Sequence, residues 1–172
     1  MKEFRSVKYW LFDLDNTLYS GKTKVFEQID KKMSKYISEK LSITIKEAKK
    51  IQKSYFYKYN TTLNGLIKNH KIDANEFLEY VHDINVDFLE KDFKLAKEIK
   101  KLSGKKIIFT NGSRKHALNV TSKIGIDHLF DDVFDIMDSN LVPKPLIEPY
   151  EKLVKKHKID PKLSVFVEDI AR

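Results

Sequence analysis

The chain has 172 residues, a formal net charge of +8 and no cysteine, and is 41% hydrophobic and 34% charged. That length fits one domain, or one core with a smaller insertion; the apolar content excludes a wholly disordered chain, and no run of eighteen apolar residues exists to span a membrane. Disulfides, thiolate metal sites and cysteine nucleophiles are excluded outright. The charge comes from 30 Lys against 3 Arg, scattered along the chain. Nucleic-acid readers favour arginine for bidentate contacts, so a nucleic-acid partner is not expected, and attraction of an anionic small substrate is the modest electrostatic role left.

In chain order, the N-terminal stretch holds two acids within its apolar run and no small-residue cleavage site, unlike a signal peptide. A cytoplasmic location is the expectation. Val7–Leu14 reads as a buried strand. From Ser20 to Asp87 the pattern changes. Val25, Phe26, Ile29, Met33, Ile37 and Leu41 recur at helical spacing, Thr44 to Glu47 forms a capping box, and Asp73 to Glu76 resembles another. Lys91–Leu102 reads as a helix ending before Gly104, and Lys105–Thr110 as the second strand. Ser113–Ile124 is a helix with Gly125 as its C-cap, Val133–Met137 a third strand, Ile147–His157 a helix closed by Asp160-Pro161, and Leu163–Val167 a fourth strand. Strand alternating with helix implies right-handed crossovers and a parallel sheet. The fold expected is therefore α/β, a Rossmann-like parallel sheet formed by residues 1–19 and 88–172, with an all-helical insertion at residues 20–87.

Chemistry concentrates at the strand ends. Asp13 and Asp15, two residues apart at the end of the first strand, project to one side of the sheet, where open α/β folds bind ligands. Buried together they either keep a proton or take a hard cation such as Mg²⁺; the alternative is that they merely cap a turn. Thr110-Asn111-Gly112-Ser113 follows the second strand just ahead of a helix, and its hydroxyl and free N–H groups suit an anion, though such strings also serve as plain caps. Lys144 is fixed between Pro143 and Pro145, and Glu168-Asp169 ends the fourth strand.

These four motifs, in order and approximate spacing, resemble the haloacid dehalogenase-like hydrolase superfamily across the whole chain. Phe12–Tyr19, Thr61-Thr62-Leu63 with Gly65-Leu66, Asp83, the Thr110–His116 stretch, Pro143-Lys144-Pro145 and Phe166–Asp169 with Ala171-Arg172 are similar to its pyrimidine 5′-nucleotidase branch. The resemblance implies that Asp13 is the nucleophile of an aspartyl-phosphate mechanism and Asp15 the general acid and base. It implies Mg²⁺ held by Asp13, the Asp15 carbonyl and Asp169, with Glu168 beside the metal site. Thr110, Asn111 and Lys144 would bind the phosphoryl group, and Thr17 would order the loop after the nucleophile. Asp15 favours phosphate ester hydrolysis over carbon–halogen cleavage, because only an alkoxide leaving group needs a proton.

The resemblance makes the helical insertion a cap over a small-molecule phosphate monoester, here a nucleotide. Alternatives are a phosphatase or mutase for a sugar phosphate or phosphoglycolate, and a non-catalytic relic. Tyr19, Tyr55, Phe56, Tyr57, Tyr59 and Asn64 are candidates for contacting a nucleoside, with most of the aromatics expected in cap packing. Thr61 and Thr62 are preferred, in a polar turn after a helix. His82 and His116 have no partner at metal-ligand spacing and are expected as structural histidines. Similar proteins continue past the last motif with a helix and a strand. Against them the chain looks truncated at Arg172, and self-association through the exposed edge of the fourth strand is expected.

Overall fold

Tyr9–Phe12 (β1) is a run of four large apolar side chains, and the sheet buries it on both faces. It lies between Lys105–Phe109 (β2) and Ser164–Val167 (β4), with Asp132–Phe134 (β3) outside β2, giving a parallel order β3-β2-β1-β4. Phe12 pairs with Ile108 and Val167, so β1 and β4 end flush, β2 runs one residue further, and their following loops meet at one rim. The computed structural model describes Phe4 and residues 6–170. Ala171 and Arg172, on which the resemblance also drew, lie outside the described residues.

Side-chain alternation sorts the core into two layers. Trp10, Phe12, Ile108 and Val133 face Phe93–Lys101 (α5) and Arg114–Ile124 (α6), packing on Ile99, Ala117 and Val120. Leu11, Ile107, Phe109 and Phe134 face the other way onto Leu153 of Ile147–His157 (α7). Gly125 ends α6 with φ 77°, a left-handed conformation that glycine adopts without Cβ strain.

Between β1 and α5 the chain forms Val25–Leu41 (α1), Ile45–Tyr59 (α2), Thr62–His70 (α3) and Ala74–His82 (α4). These helices share a core of their own, including Ile29, Tyr36, Leu66, Phe77 and Val81, which meets the sheet region at Ile136. Thr44 and Glu47 form the reciprocal capping box, while Asp73 caps α4 by accepting from the Glu76 N–H. Among the described residues no helix is long and apolar enough to cross a membrane.

Three expectations need correction. The strand expected at Val133–Met137 stops at Phe134, because the buried Asp135 carboxylate accepts the N–H groups of Arg114, Met137 and Asp138 and turns the chain. Thr61 and Thr62 do not sit in a free polar turn. Asn60 ends α2 at φ 66°, Thr61 caps a further helix, and Thr62 is that helix's first residue. The first strand is also shorter than expected, because Asp13 and Leu14 already belong to the loop that follows β1.

Candidate functional site

Asp13 is the first residue after β1, and its N–H donates to the Val167 carbonyl at 2.9 Å, which fixes it to the end of β4. Its Oδ1 accepts from Lys144 Nζ at 2.8 Å, and the same ammonium donates to Glu168 Oε2 at 2.6 Å. Lys144 is only 6% exposed and lies between the rings of Phe109 and Phe166, 5.2 and 5.0 Å from their centroids. Asn111 secures its main chain from both ends, Oδ1 accepting from the Lys144 N–H and Nδ2 donating to the Lys144 carbonyl.

One oxygen each of Asp13, Glu168 and Asp169 lies within 4.8 Å of the others. Burial pushes the Asp13 carboxyl up to about 6, although Lys144 opposes this. Burial also raises Asp169, helped by the hydrogen bond and charge of Glu168. Three crowded carboxylates against a single ammonium make an oxygen donor set short of positive charge, which fits a hard divalent cation.

Asp15 is held differently. Its Oδ1 accepts from Tyr19 Oη at 2.5 Å and lies 2.8 Å from His116 Nε2. Burial opposes its ionisation, but His116 and the Tyr19 hydrogen bond outweigh that and hold its carboxyl below the usual range. The Tyr19 hydroxyl is pushed far above its ordinary value by burial and then by the Asp15 charge. His116 in turn stacks on His82, ring centroids 4.4 Å apart and nearly coplanar, while His82 Nδ1 is 2.9 Å from the Ser113 hydroxyl. Burial keeps His82 neutral, with its pKa down to about 3.

Thr110 is buried after β2, its Oγ1 accepting from the Gly112 N–H, and Ser113 caps α6 by accepting from the His116 N–H. A cavity of about 560 Å³ opens over this rim. Asp13, Asp15, Thr110, Asn111, Lys144, Glu168 and Asp169 line its floor, and α1–α4 supply a largely apolar roof that includes Phe26, Met33, Phe56 and Phe77.

The expected residues that follow β1, β2 and β4, with Lys144 from the loop between β3 and α7, thus come together around one cavity. Others stand differently. The Asn111 side chain is engaged on Lys144, which leaves its main chain for a ligand. Thr17 keeps the turn through its N–H to the Leu14 carbonyl, while its buried hydroxyl has no partner among the described residues. Thr61 and Thr62 line the cavity, yet their hydroxyls serve the Asn64 N–H and the Gln52 carbonyl. Phe56 and Tyr57 line it too; Tyr19, Tyr55, Tyr59 and Asn64 do not. His116, expected as a structural histidine, is buried and packed against Asp15, 2.8 Å from its Oδ1. Its sequence signal was the spacing from Ser113, which as N-cap puts residue 116 on the first turn of α6 beside the β1 loop.

The chain matches the family model of haloacid dehalogenase-like hydrolases over residues 7–172. It is 31% identical over 171 residues to phosphate metabolism protein 8 of Saccharomyces cerevisiae, covering 92% of this chain and 53% of that protein. It therefore spans about half the length of that curated relative. Among solved structures it is similar to a HAD phosphatase from Thermococcus onnurineus, with TM-score 0.55 and 19% identity over 93% of this chain and 76% of that one. It is also similar to the HAD-hydrolase YfnB from Bacillus subtilis, solved bound to magnesium, with TM-score 0.53 and 17% identity over 93% and 77% of the two chains. At these identities the structural likeness speaks for the fold, and the family match for membership. The chain belongs to the haloacid dehalogenase-like hydrolases.

Proposed function

We propose that the protein is a phosphomonoester hydrolase acting on a nucleoside 5′-monophosphate, with a pyrimidine base preferred. The observation that carries this reading is the pairing of two aspartates in opposite environments on one cavity floor. Asp13 sits beside Lys144 and two further carboxylates, and Asp15 is held by hydrogen-bond donors. Paired carboxylates in different environments suit separate roles in one reaction, and a cation bound among the crowded carboxylates would keep Asp13 ionised for attack.

In this reading an Asp13 oxygen attacks phosphorus and forms the acyl phosphate, while the bond from phosphorus to the ester oxygen breaks. The negative charge of the bound phosphate favours the protonated form of Asp15, and the leaving oxygen, on which the electron pair stays, takes that proton. Asp15 then removes a proton from water, the water oxygen attacks phosphorus, and inorganic phosphate leaves with Asp13 restored. Lys144, the Thr110 hydroxyl and the main chain of residues 111–113 hold the phosphoryl oxygens and offset the charge that builds up there. Asp13, Asp169 and the Asp15 carbonyl would hold Mg²⁺, which when bound neutralises the crowded carboxylates and polarises the phosphoryl group.

The roof supports the substrate choice. Phe26, Phe56 and Tyr57 offer flat apolar surface to a base, and Asp30 and Gln52 are polar groups set among them. The helical segment then acts as a cap that excludes water during transfer.

The test is phosphate release from a panel of monoesters with and without Mg²⁺. Turnover of UMP and CMP that needs Mg²⁺ and is lost in Asp13→Asn, with the fold intact, is the expected result. Preference for hexose phosphates or phosphoglycolate overturns the substrate class, and turnover retained in Asp13→Asn overturns the nucleophile.

A further inference from the structure

Asp15 lines the cavity, but neither group bonded to it does. His116 is 1% exposed and approaches from the first turn of α6, and Tyr19 is buried behind the β1 loop. Both engage the same oxygen, Oδ1, while Oδ2 has no hydrogen-bond partner among the described residues. A carboxylate fixed through one oxygen by two donors has lost its rotation about χ2, and its other oxygen points in one direction.

The imidazole is itself fixed. It lies flat against His82 with the two ring planes 5° apart, and His82 is tied through Nδ1 to Ser113, the cap of the same helix. His116 Nε2 faces Asp15 Oδ1, and its Nδ1 is buried without a partner among the described residues. Neutral His82 at its face adds no charge. Leaving a ring nitrogen buried and unpaired has a cost, and the contact that offsets it is the one to Asp15.

Resting on the phosphatase reading above, we propose that His116, assisted by Tyr19, is a positioning residue for proton transfer: it pins Oδ1 of Asp15 so that Oδ2 faces the leaving oxygen. His116 cannot touch substrate from where it lies, so it acts wholly through Asp15. The helical segment contributes to this through His82 at the end of α4, which fixes the plane of the His116 ring.

A leaving-group comparison isolates this role. Uridine leaves as an alkoxide and needs the proton, whereas p-nitrophenolate leaves without one. The readout is first-turnover release of the leaving group from UMP and from p-nitrophenyl phosphate, which precedes the water step common to both. His116→Ala is expected to slow uridine release about 100-fold, within the range of general-acid contributions, and nitrophenolate release less than about threefold. His116→Gln, whose amide nitrogen can stand in for Nε2, recovers most of the uridine rate. Tyr19→Phe removes only a hydroxyl and shows the same selectivity at smaller size, so it carries the test if His116→Ala does not fold. Equal losses on both substrates, or no loss on either, overturn the positioning role while the phosphatase reading stands. A wild-type protein that releases neither leaving group, or an Asp13→Asn variant that still does, overturns that reading instead.

Discussion

Asn111 holds the main chain of Lys144 on both sides, its Oδ1 2.8 Å from the Lys144 nitrogen and its Nδ2 3.3 Å from the Lys144 carbonyl oxygen. The strand end after β2 thereby sets the position of a lysine that comes 33 residues later in the chain. Asn111→Ala removes the clamp while the lysine itself is kept, free to shift. The expected outcome is a loss of about 100-fold in kcat/KM, since a misplacement of about 1 Å is enough for that. Stability should fall by only about 1–2 kcal/mol, the net value of two neutral hydrogen bonds. Parallel kinetics and denaturant melts check both, and unchanged kinetics with lowered stability would confine Asn111 to a structural role.

The charge imbalance around Asp13 gives a second expectation. Lys144→Met leaves the Asp13 and Glu168 carboxylates without their shared ammonium in a buried setting, and breaking such a contact costs about 3–5 kcal/mol. Because Asp13, Glu168 and Asp169 still form an oxygen donor set, added Mg²⁺ should recover part of that loss. Thermal melts with EDTA and with Mg²⁺ measure it. The rise in melting temperature with Mg²⁺ should be larger in Lys144→Met than in the unaltered chain and absent in Asp169→Asn. A rise that survives in Asp169→Asn would remove Asp169 from the metal site.

The strand ends could be read from sequence because each depends on local pattern, an apolar run followed by acids, a threonine or a proline-bracketed lysine. β1 and β2 appear where the apolar run is, and α7 has the expected limits, Ile147 to His157. What escaped depends on contacts between distant segments. The bond from His116 to Asp15 spans 101 residues; the N-cap at Ser113 places His116 on the first turn of α6, but no local pattern names its partner. Asp135 ends β3 by collecting N–H groups from two directions, which β-propensity does not encode. Thr61 looked available because caps and ligand-binding hydroxyls use the same residue types in the same kind of turn.

Acid stability should depend on a network away from the cavity. Arg114 bonds the side chains of Asp132 and Asp138 and the Val133 carbonyl, and Lys156 bridges the same two acids. Burial opposes ionisation of both acids, but the hydrogen bonds and charges of Arg114 and Lys156 prevail and hold them below the ordinary carboxylate range. A depressed folded-state pKa means that the unfolded chain takes up protons first. The stabilisation is therefore complete well above the unfolded value of about 3.9 and is lost as pH falls through the folded one. Arg114 and Lys156 are each about 40% exposed, and solvent screening limits each pair to about 1 kcal/mol or less. Asp138→Asn should unfold earlier in denaturant at pH 7, yet lose less stability than the unaltered chain between pH 5 and pH 2. Parallel pH curves for the two proteins would sink this account.

The roof of the cavity rests on one close helix contact. A Cβ built on Gly65 in α3 would meet the Tyr55 Cβ and ring of α2 at 2.4 Å, so only glycine lets these helices approach so closely. Tyr55 cannot swing aside freely, since its hydroxyl lies 2.7 Å from His70 Nε2 and its ring packs edge-on against Tyr59. Gly65→Ala must therefore part the two helices, at a cost of about 1–3 kcal/mol for overpacking. The same pair carries Phe56, Tyr57, Thr61 and Thr62 on the cavity wall, so the shift should also reach the substrate. It should not reach Asp13 or Lys144, which are held by β4 and Asn111. The expected result is a KM for UMP raised about 10-fold, with kcat for p-nitrophenyl phosphate close to unchanged, because a moved wall alters leaving-group binding and not phosphoryl transfer. If both substrates lose kcat together, α2 and α3 bear on the chemistry itself and not on recognition alone.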